Sequence, residues 1–96
     1  MIENLYTVVY KDDSKATIKL SDENHPIFKA HFPTNPVLPG FVNFEIVSKL
    51  FDIDITSIKK AKFLKTLTPN QVLTYQKDGS KFKVISQDDT IAHFTL

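Results

Sequence analysis

Histidine, glutamate and glycine residues lie close together in a proline-rich stretch that runs from His25 to Glu45. His31 could be a general base, since the apolar Phe32 and Pro33 beside it favour a neutral imidazole that accepts a proton near physiological pH. Glu45 could be a general acid if apolar neighbours raise the pKa of its carboxyl group towards the working range. These residue types therefore suit proton transfer to and from a substrate.

Gly40 occupies a position where a carbonyl oxygen could be stabilised. It directly precedes Phe41–Phe51, an apolar stretch whose length and lack of helix breakers predict one helix. The first N–H groups of a helix have no partner within it and lie at the positive end of its dipole, so an uncovered glycine amide would polarise a carbonyl oxygen. The competing interpretation is that Pro39 and Gly40 simply form a turn before the helix.

Each of these residues also has an ordinary structural interpretation. A single histidine is more often structural than catalytic. Phe41 and Val42, one turn before Glu45, would desolvate its carboxylate, but Glu45 could instead form an ion pair with Lys49, worth about 0.2–0.5 kcal/mol on an exposed helix. Taken one residue at a time, the structural interpretations are favoured.

Composition limits the class of protein. Ninety-six residues without a long apolar run predict one globular domain, residues 1–96, with no membrane insertion. The start of the chain does not resemble a secretory signal, which favours a cytoplasmic location. A net charge of +1 is too small to indicate nucleic-acid binding. With no cysteine, and with no compact ligand spacing among His25, His31 and His93, no metal site is expected.

An antiparallel sheet is the predicted scaffold for these residues. Alternating or β-branched segments predict strands at Leu5–Tyr10, Lys15–Leu20, Ser57–Leu67, Val72–Gln76, Lys81–Ser86 and Thr90–Leu96. The prolines of His31–Gly40 predict a stiff loop, because proline fixes φ and lacks a donor N–H. The expected fold class is α+β, with the sheet packed on one apolar helix. So small a core, without disulfides, favours oligomerisation.

The joint spacing of the stretch is more informative than any single residue. It resembles the HFPxxPxxPGxxxxE motif of hotdog-fold 3-hydroxyacyl-acyl-carrier-protein dehydratases, and the matching residues are His31, Phe32, Pro33, Pro36, Pro39, Gly40 and Glu45. Lys60–Phe63 and the turn Pro69–Gln71 are similar to a strand and a turn of that family, with Asn70 and Gln71 replacing glycine and aspartate. The resemblance implies a hotdog fold of about six antiparallel strands around one central helix, paired into a homodimer or a higher assembly.

The resemblance also implies a reaction, the reversible loss of water from a 3-hydroxyacyl thioester to give a trans-2-enoyl thioester, in fatty-acid or related acyl-chain synthesis. His31 would remove the α-proton, the Gly40 amide would stabilise the thioester oxygen, and Glu45 from the opposite subunit would assist departure of the hydroxyl. No cofactor is implied. The substrate-binding residues would be Phe32, Pro39, Phe41 and Phe44.

An acyl carrier protein would present the acyl group on its phosphopantetheine arm. Carrier proteins of this type are acidic, which makes a basic cluster a candidate docking patch by charge complementarity. That cluster consists of Lys59, Lys60, Lys62 and Lys65. The competing interpretation of these lysines is an ordinary solvated strand face.

Two features leave other functions open. Lys49 stands where many members of the family carry glutamine, and the chain is shorter than typical members. Because a hotdog fold does not by itself define an activity, an acyl thioesterase is one alternative. A non-catalytic module that binds an acyl group or a carrier protein is the other.

Overall fold

The computed structural model of the chain describes residues 2–30 and 36–96. The described residues contain six strands and two helices: β1 (Tyr6–Lys11), β2 (Lys15–Leu20), α1 (Pro26–Ala30), α2 (Val42–Phe51), β3 (Lys60–Phe63), β4 (Val72–Asp78), β5 (Lys81–Ser86) and β6 (Asp89–Thr95). No helix within these two ranges is long and apolar enough to cross a membrane.

The strands form one antiparallel sheet in the order β1-β2-β4-β5-β6-β3. Tight turns join β4 to β5 and β5 to β6, and they contain left-handed residues, namely Gly79 with φ of +60° and then Gln87 and Asp88. β3 lies at one edge, beside β6, although it follows β2 in the chain. The connection from β2 to β3, which includes α2, therefore has to cross the sheet.

Helix α2 packs on one face of the sheet, called here the inner face. Two of its phenylalanines make ring contacts there, Phe44 with Phe94 at 4.9 Å between centroids and Phe51 with Phe82 at 5.8 Å. Alternation along β2 and β5 buries every second side chain against the helix. The inner-face core residues include Ala16, Ile18, Leu20, Leu73, Tyr75, Phe82, Val84 and Phe94. The α+β architecture expected from the sequence is thus confirmed.

The prediction of one long strand over Ser57–Leu67 is wrong. Regular pairing with β6 ends at Phe63, after which the N–H groups of Leu64 and Lys65 both donate to the Ile91 carbonyl. Leu67 then pairs with Leu38 instead, in an isolated bridge outside the sheet. The segment therefore divides between two partners, which shortens β3 to four residues.

Helix α1 was not expected, because no helix or strand was predicted between Leu20 and the loop that begins at His31. Pro26 suits the first position of a helix, where its missing N–H costs nothing. His25 Nδ1 accepts a hydrogen bond from Ile27 N–H at 3.1 Å, and the other ring nitrogen, Nε2, lies 2.7 Å from the carbonyl oxygen of Glu3. Burial of Ile27 and Phe28 anchors this single turn in the core. The residue that caps α1 is therefore a histidine with a structural role.

Candidate active site

The segment that enters α2 is fixed at several points. Leu38 N–H donates to the Leu67 carbonyl at 2.8 Å, and both side chains are fully buried. The Pro39 carbonyl then accepts Val42 N–H at 3.2 Å, and the Gly40 carbonyl accepts Asn43 N–H at 3.0 Å. These bonds form the first turn that leads into the helix, so the position of Gly40 is set by backbone contacts on both sides.

The absence of a side chain at Gly40 has a packing reason. A Cβ at this position would lie within 2.6 Å of Cδ1 and 2.9 Å of Cδ2 in the ring of Phe63 on β3. Carbon atoms do not approach so closely without strain. The turn interpretation of Gly40 is therefore supported by a specific contact, independently of any chemistry at its amide.

The Gly40 N–H is directed away from α2. In a trans peptide the N–H and C=O point in opposite directions, and the Pro39 carbonyl of this peptide faces the helix, where it accepts Val42 N–H. No residue of the described ranges accepts a hydrogen bond from Gly40 N–H. A donor with this orientation can serve a ligand oxygen, as an oxyanion site requires.

Asn43 and Tyr75 form a buried polar pair next to Gly40. Asn43 is 1% exposed on the first turn of α2, and Tyr75 is fully buried on β4. Tyr75 O–H donates to Asn43 Oδ1 at 2.6 Å, while Asn43 Nδ2 donates to the Gly40 carbonyl at 3.0 Å. Burial raises the pKa of the Tyr75 hydroxyl above its ordinary value of 10.0, and the neighbouring Tyr6 adds to this effect.

Glu45 has neither of the environments that the sequence suggested. Its side chain is exposed within this chain, so Phe41 and Val42 do not enclose it. No ion pair joins it to Lys49, although both residues are among those the structure describes. The carboxylate instead lines an open groove of about 550 Å³, together with Phe44, Ser48, Asp54, Ile55 and Thr56.

The candidate substrate-binding residues separate into different environments. Phe44 is partly buried and contacts Phe63 edge-on, with 5.6 Å between ring centroids. Phe41 is 55% exposed, and Pro39 is partly buried beside Gly40. The structure therefore groups Gly40, Phe44 and Phe63 around the start of α2. His31 and Phe32, the other candidates, lie outside the described residues.

The four lysines of the predicted basic cluster have different surroundings in the fold. Lys65 pairs with Asp89 at 3.1 Å between Nζ and Oδ2, and Lys59 precedes β3. Lys60 and Lys62 project from the outer face of the sheet, the face opposite α2. Their cross-strand neighbours on β6 in turn face Lys81 and Lys83 of β5. We call Lys60, Lys62, Lys81, Lys83 and His93 the outer basic patch.

The comparisons with known proteins identify the family. A family model described as ApeI-like, ApeI dehydratase, matches residues 8–94. The chain belongs to this dehydratase family. The resemblance that the sequence motif indicated, to hotdog-fold dehydratases, is thereby confirmed.

Curated relatives of this ApeI-like chain carry a dehydratase name. The 3-hydroxyacyl-[acyl-carrier-protein] dehydratase FabZ of Ehrlichia ruminantium (strain Gardel) is 29% identical to it, over 86% of this chain and 72% of that protein. The FabZ protein of Rickettsia bellii (strain OSU 85-389) is 34% identical, over 93% of this chain and 61% of that protein.

Solved structures agree on the fold of the ApeI-like chain. The dehydratase heterocomplex ApeI:P from Xenorhabdus doucetiae contains a chain that superposes with a TM-score of 0.68 at 23% identity, covering 93% of each chain. The PaaI protein from the phenylacetic acid degradation operon of E. coli superposes with a TM-score of 0.60 at 14% identity, covering 97% of this chain and 82% of that one. The hotdog fold is thus confirmed.

Sequence reasoning missed Asn43 and Tyr75. Asn43 is a polar residue inside an otherwise apolar helical stretch, which was an available signal for a buried hydrogen bond. Its partner is 32 residues away on a strand, and no local pattern connects the two. The ring contact between Gly40 and Phe63 was hidden for the same reason.

Proposed function

We propose that this chain is a 3-hydroxyacyl thioester dehydratase whose active site is completed across a dimer interface. The observation that carries the proposal is the geometry at the start of α2. There the Gly40 N–H points away from the helix without an acceptor among the described residues, and Glu45 lines a groove beside Phe44. Both residues lie within the segment that the dehydratase family model matches.

The proposed reaction uses three groups. The C2–H bond of the 3-hydroxyacyl thioester breaks, and its proton passes to the imidazole of His31. The electron pair is delocalised onto the thioester oxygen, which accepts a hydrogen bond from Gly40 N–H. The pair then forms the C2=C3 double bond as the C3–O bond breaks, and Glu45 of the partner subunit gives the departing hydroxyl a proton, so that water leaves. The role of His31 rests on the sequence motif, because the residue lies outside the described ranges.

The edge strand β3 is the proposed contact with the second copy. All four of its residues are exposed within this chain, and no strand of the described residues pairs with its second backbone edge. Large apolar side chains surround it, with Phe41 55%, Phe63 40% and Leu64 48% exposed. An apolar sheet edge of this kind invites pairing with another chain. Pairing here would bury the apolar side chains and bring a second α2 near the first.

The proposed donor of the acyl group is an acyl carrier protein. The FabZ relatives are named for substrates carried in this way. Within the candidate docking cluster, Lys60 and Lys62 are the best placed, because they join Lys81 and Lys83 in the outer basic patch. Lys65 is a weaker candidate, since Asp89 already neutralises it. An acidic carrier protein would be attracted to the patch by charge complementarity.

Complementation between two inactive variants tests the proposal. His31→Ala and Glu45→Ala are each expected to lower kcat on a short 3-hydroxyacyl thioester by about 10²- to 10⁴-fold, the usual contribution of an acid or base. In a mixed dimer one of the two composite sites is intact, so co-expressed variants should recover part of the activity. Glu23→Ala removes an exposed carboxylate far along the chain from α2 and serves as the matched control.

The products and the mass of the assembly separate the other outcomes. Formation of enoyl thioester and water supports a dehydratase, whereas release of free thiol would identify a thioesterase. Tight acyl binding without turnover, unchanged by His31→Ala, would identify a binding module. A homodimer mass is expected for the purified protein. Activity that appears only with a second, different chain would replace the homodimer by a heteromer, as in the ApeI:P complex.

A further inference from the structure

Asn43 and Tyr75 are polar residues in a place where apolar residues would pack. Tyr75 sits at full burial on the inner face, surrounded by the aliphatic and aromatic core. Burying a hydroxyl and a carboxamide costs free energy unless both are hydrogen-bonded, and a pair of apolar residues of similar shape often does equally well. The pair therefore calls for an explanation beyond packing.

The hydrogen bonds of the pair have a defined direction. The Gly40 carbonyl can only accept, so the Asn43 group that faces it at 3.0 Å must be the Nδ2 amide. Asn43 Oδ1 then faces Tyr75, whose O–H donates to it at 2.6 Å. The Gly40 carbonyl receives a second bond from Asn43 N–H, also at 3.0 Å. Asn43 thus donates two hydrogen bonds to the Gly40 carbonyl, and Tyr75 donates one to Asn43.

We propose that Asn43 and Tyr75 are a positioning pair, which orients the Gly40 peptides so that Gly40 N–H points at the thioester oxygen of the substrate. The inference rests on the proposed dehydratase function and adds two residues to it. Neither residue touches the reacting atoms. The chain of bonds runs from a rigid strand, β4, through Asn43 to the Gly40 carbonyl. This carbonyl belongs to the peptide after Gly40 and the N–H to the peptide before it, so holding the carbonyl limits rotation of the N–H about the shared Cα. A donor restrained in this way needs little reorganisation during the reaction.

The first test is Tyr75→Phe, which removes only the hydroxyl. Asn43 loses the donor that fixes its carboxamide, so kcat is expected to fall on the order of tenfold or more while KM stays within about twofold, because a misplaced oxyanion donor affects the transition state most. Thr74→Val is the matched control. It removes the neighbouring hydroxyl on the same strand, which lies 3.0 Å from Thr17 Oγ1, away from Gly40. Its kcat should remain that of the wild type.

The double variant Asn43→Leu/Tyr75→Phe separates positioning from stability. Replacing both polar partners by apolar groups is expected to restore thermal stability relative to Tyr75→Phe alone, because no unsatisfied polar atom remains. It should leave kcat low, since the side-chain bond to the Gly40 carbonyl is gone and only the backbone N–H of residue 43 still holds that carbonyl. A kcat that returns with stability would show a merely structural pair and overturn the inference.

A measurement that needs no activity uses the two glycines of the chain. Glycine-selective ¹⁵N labelling gives one backbone amide resonance for Gly40 and one for Gly79. Tyr75→Phe should shift or broaden the Gly40 resonance and leave that of Gly79 in place, while Thr74→Val should move neither. An unmoved Gly40 resonance would overturn the inference. If the wild-type protein lacks dehydratase activity, the proposed function fails, and this experiment still decides whether the pair holds the Gly40 peptide.

Discussion

Thr74 and Tyr75 are neighbours on β4, and their hydroxyl groups serve opposite faces of the sheet. Thr74 Oγ1 lies 3.0 Å from Thr17 Oγ1 on the adjacent strand, so this bond joins two strands that the backbone already joins. Tyr75 donates across the inner face to Asn43 of α2. The second bond connects elements with no shared backbone ladder, and through Gly40 it reaches the candidate active site.

The two faces of the sheet also differ in charge. Across β3, β6 and β5 the outer face presents Lys62, His93 and Lys83 in one cross-strand row with no carboxylate between them. On the inner face the corresponding positions are apolar. The buried polar pair on the inner face thus connects the sheet to α2, whereas the lysines of the outer face are exposed within this chain.

The largest expected effect is on the inner face. Tyr75→Ala should lower the free energy of unfolding by about 3–5 kcal/mol, since it leaves a cavity where an aromatic ring is fully buried. Thr74→Ala, one residue away on the other face, should cost about 1 kcal/mol or less for its single part-buried hydrogen bond. Urea unfolding of both variants measures the contrast. Equal losses would mean that the two faces contribute alike.

The next effect compares the two glycines. Gly40→Ala should destabilise the protein by about 1–3 kcal/mol through overlap with the Phe63 ring, and adding Phe63→Ala should recover part of that loss. Gly79→Ala has open space around its Cβ but a φ of +60°, so it should cost about 1–2 kcal/mol from backbone strain. Phe63→Ala should not rescue Gly79→Ala. Thermal unfolding of the single and double variants decides.

Alkaline pH should reduce the contribution of Tyr75 to the stability of the fold. Burial raises the pKa of Tyr75 above the ordinary value of 10.0, so the unfolded chain releases this proton first as the pH rises. The stability contributed by Tyr75 is therefore complete below pH 10 and falls above it, by up to about 1.4 kcal/mol per pH unit for one group. Urea unfolding at roughly one-unit steps between about pH 8 and pH 11 should show a smaller loss of unfolding free energy for Tyr75→Phe than for the wild type.

The smallest effect on stability is expected on the outer face. Lys62→Gln and Lys83→Gln should each change the free energy of unfolding by no more than about 0.5 kcal/mol, because both side chains are exposed. Both should weaken association with an acidic carrier protein, and the loss should be greatest at low salt. Lys29→Gln, on α1, is the control. Equal weakening by all three would point to net charge rather than to the outer basic patch.

The sequence predicted elements whose signal is local. Alternation placed five strands within a few residues of their observed bounds, and α2 begins at Val42, one residue after its predicted start. The failures depend on distant partners. Leu67 leaves the expected strand because Leu38 pairs with it, and α1 forms because Ile27 and Phe28 find a place in the core. Neither the Leu38–Leu67 pairing nor the burial of Ile27 and Phe28 can be identified from residues nearby in the sequence.

The candidate site divides in the same way. The spacing of the motif singled out Gly40 and Glu45, and both lie at the start of α2 next to Phe44. The sequence could not show that the Phe63 ring packs against Gly40, or that the Tyr75 hydroxyl donates a hydrogen bond to Asn43. The environment of Glu45 was also wrongly expected, because a carboxylate on an apolar helix was taken to be enclosed or paired within the chain. In the protomer it faces an open groove instead.

The position of β3 links opening of the sheet edge to the site. A short edge strand with exposed side chains is expected to unfold locally at a lower free energy than the whole domain. Each opening would carry Phe63 away from Gly40, so the amide hydrogens of β3 should exchange with solvent far faster than those of β4. Pairing of β3 with a second copy would close this route. Slower exchange at higher protein concentration, confined to this edge, would therefore reveal the subunit contact in solution.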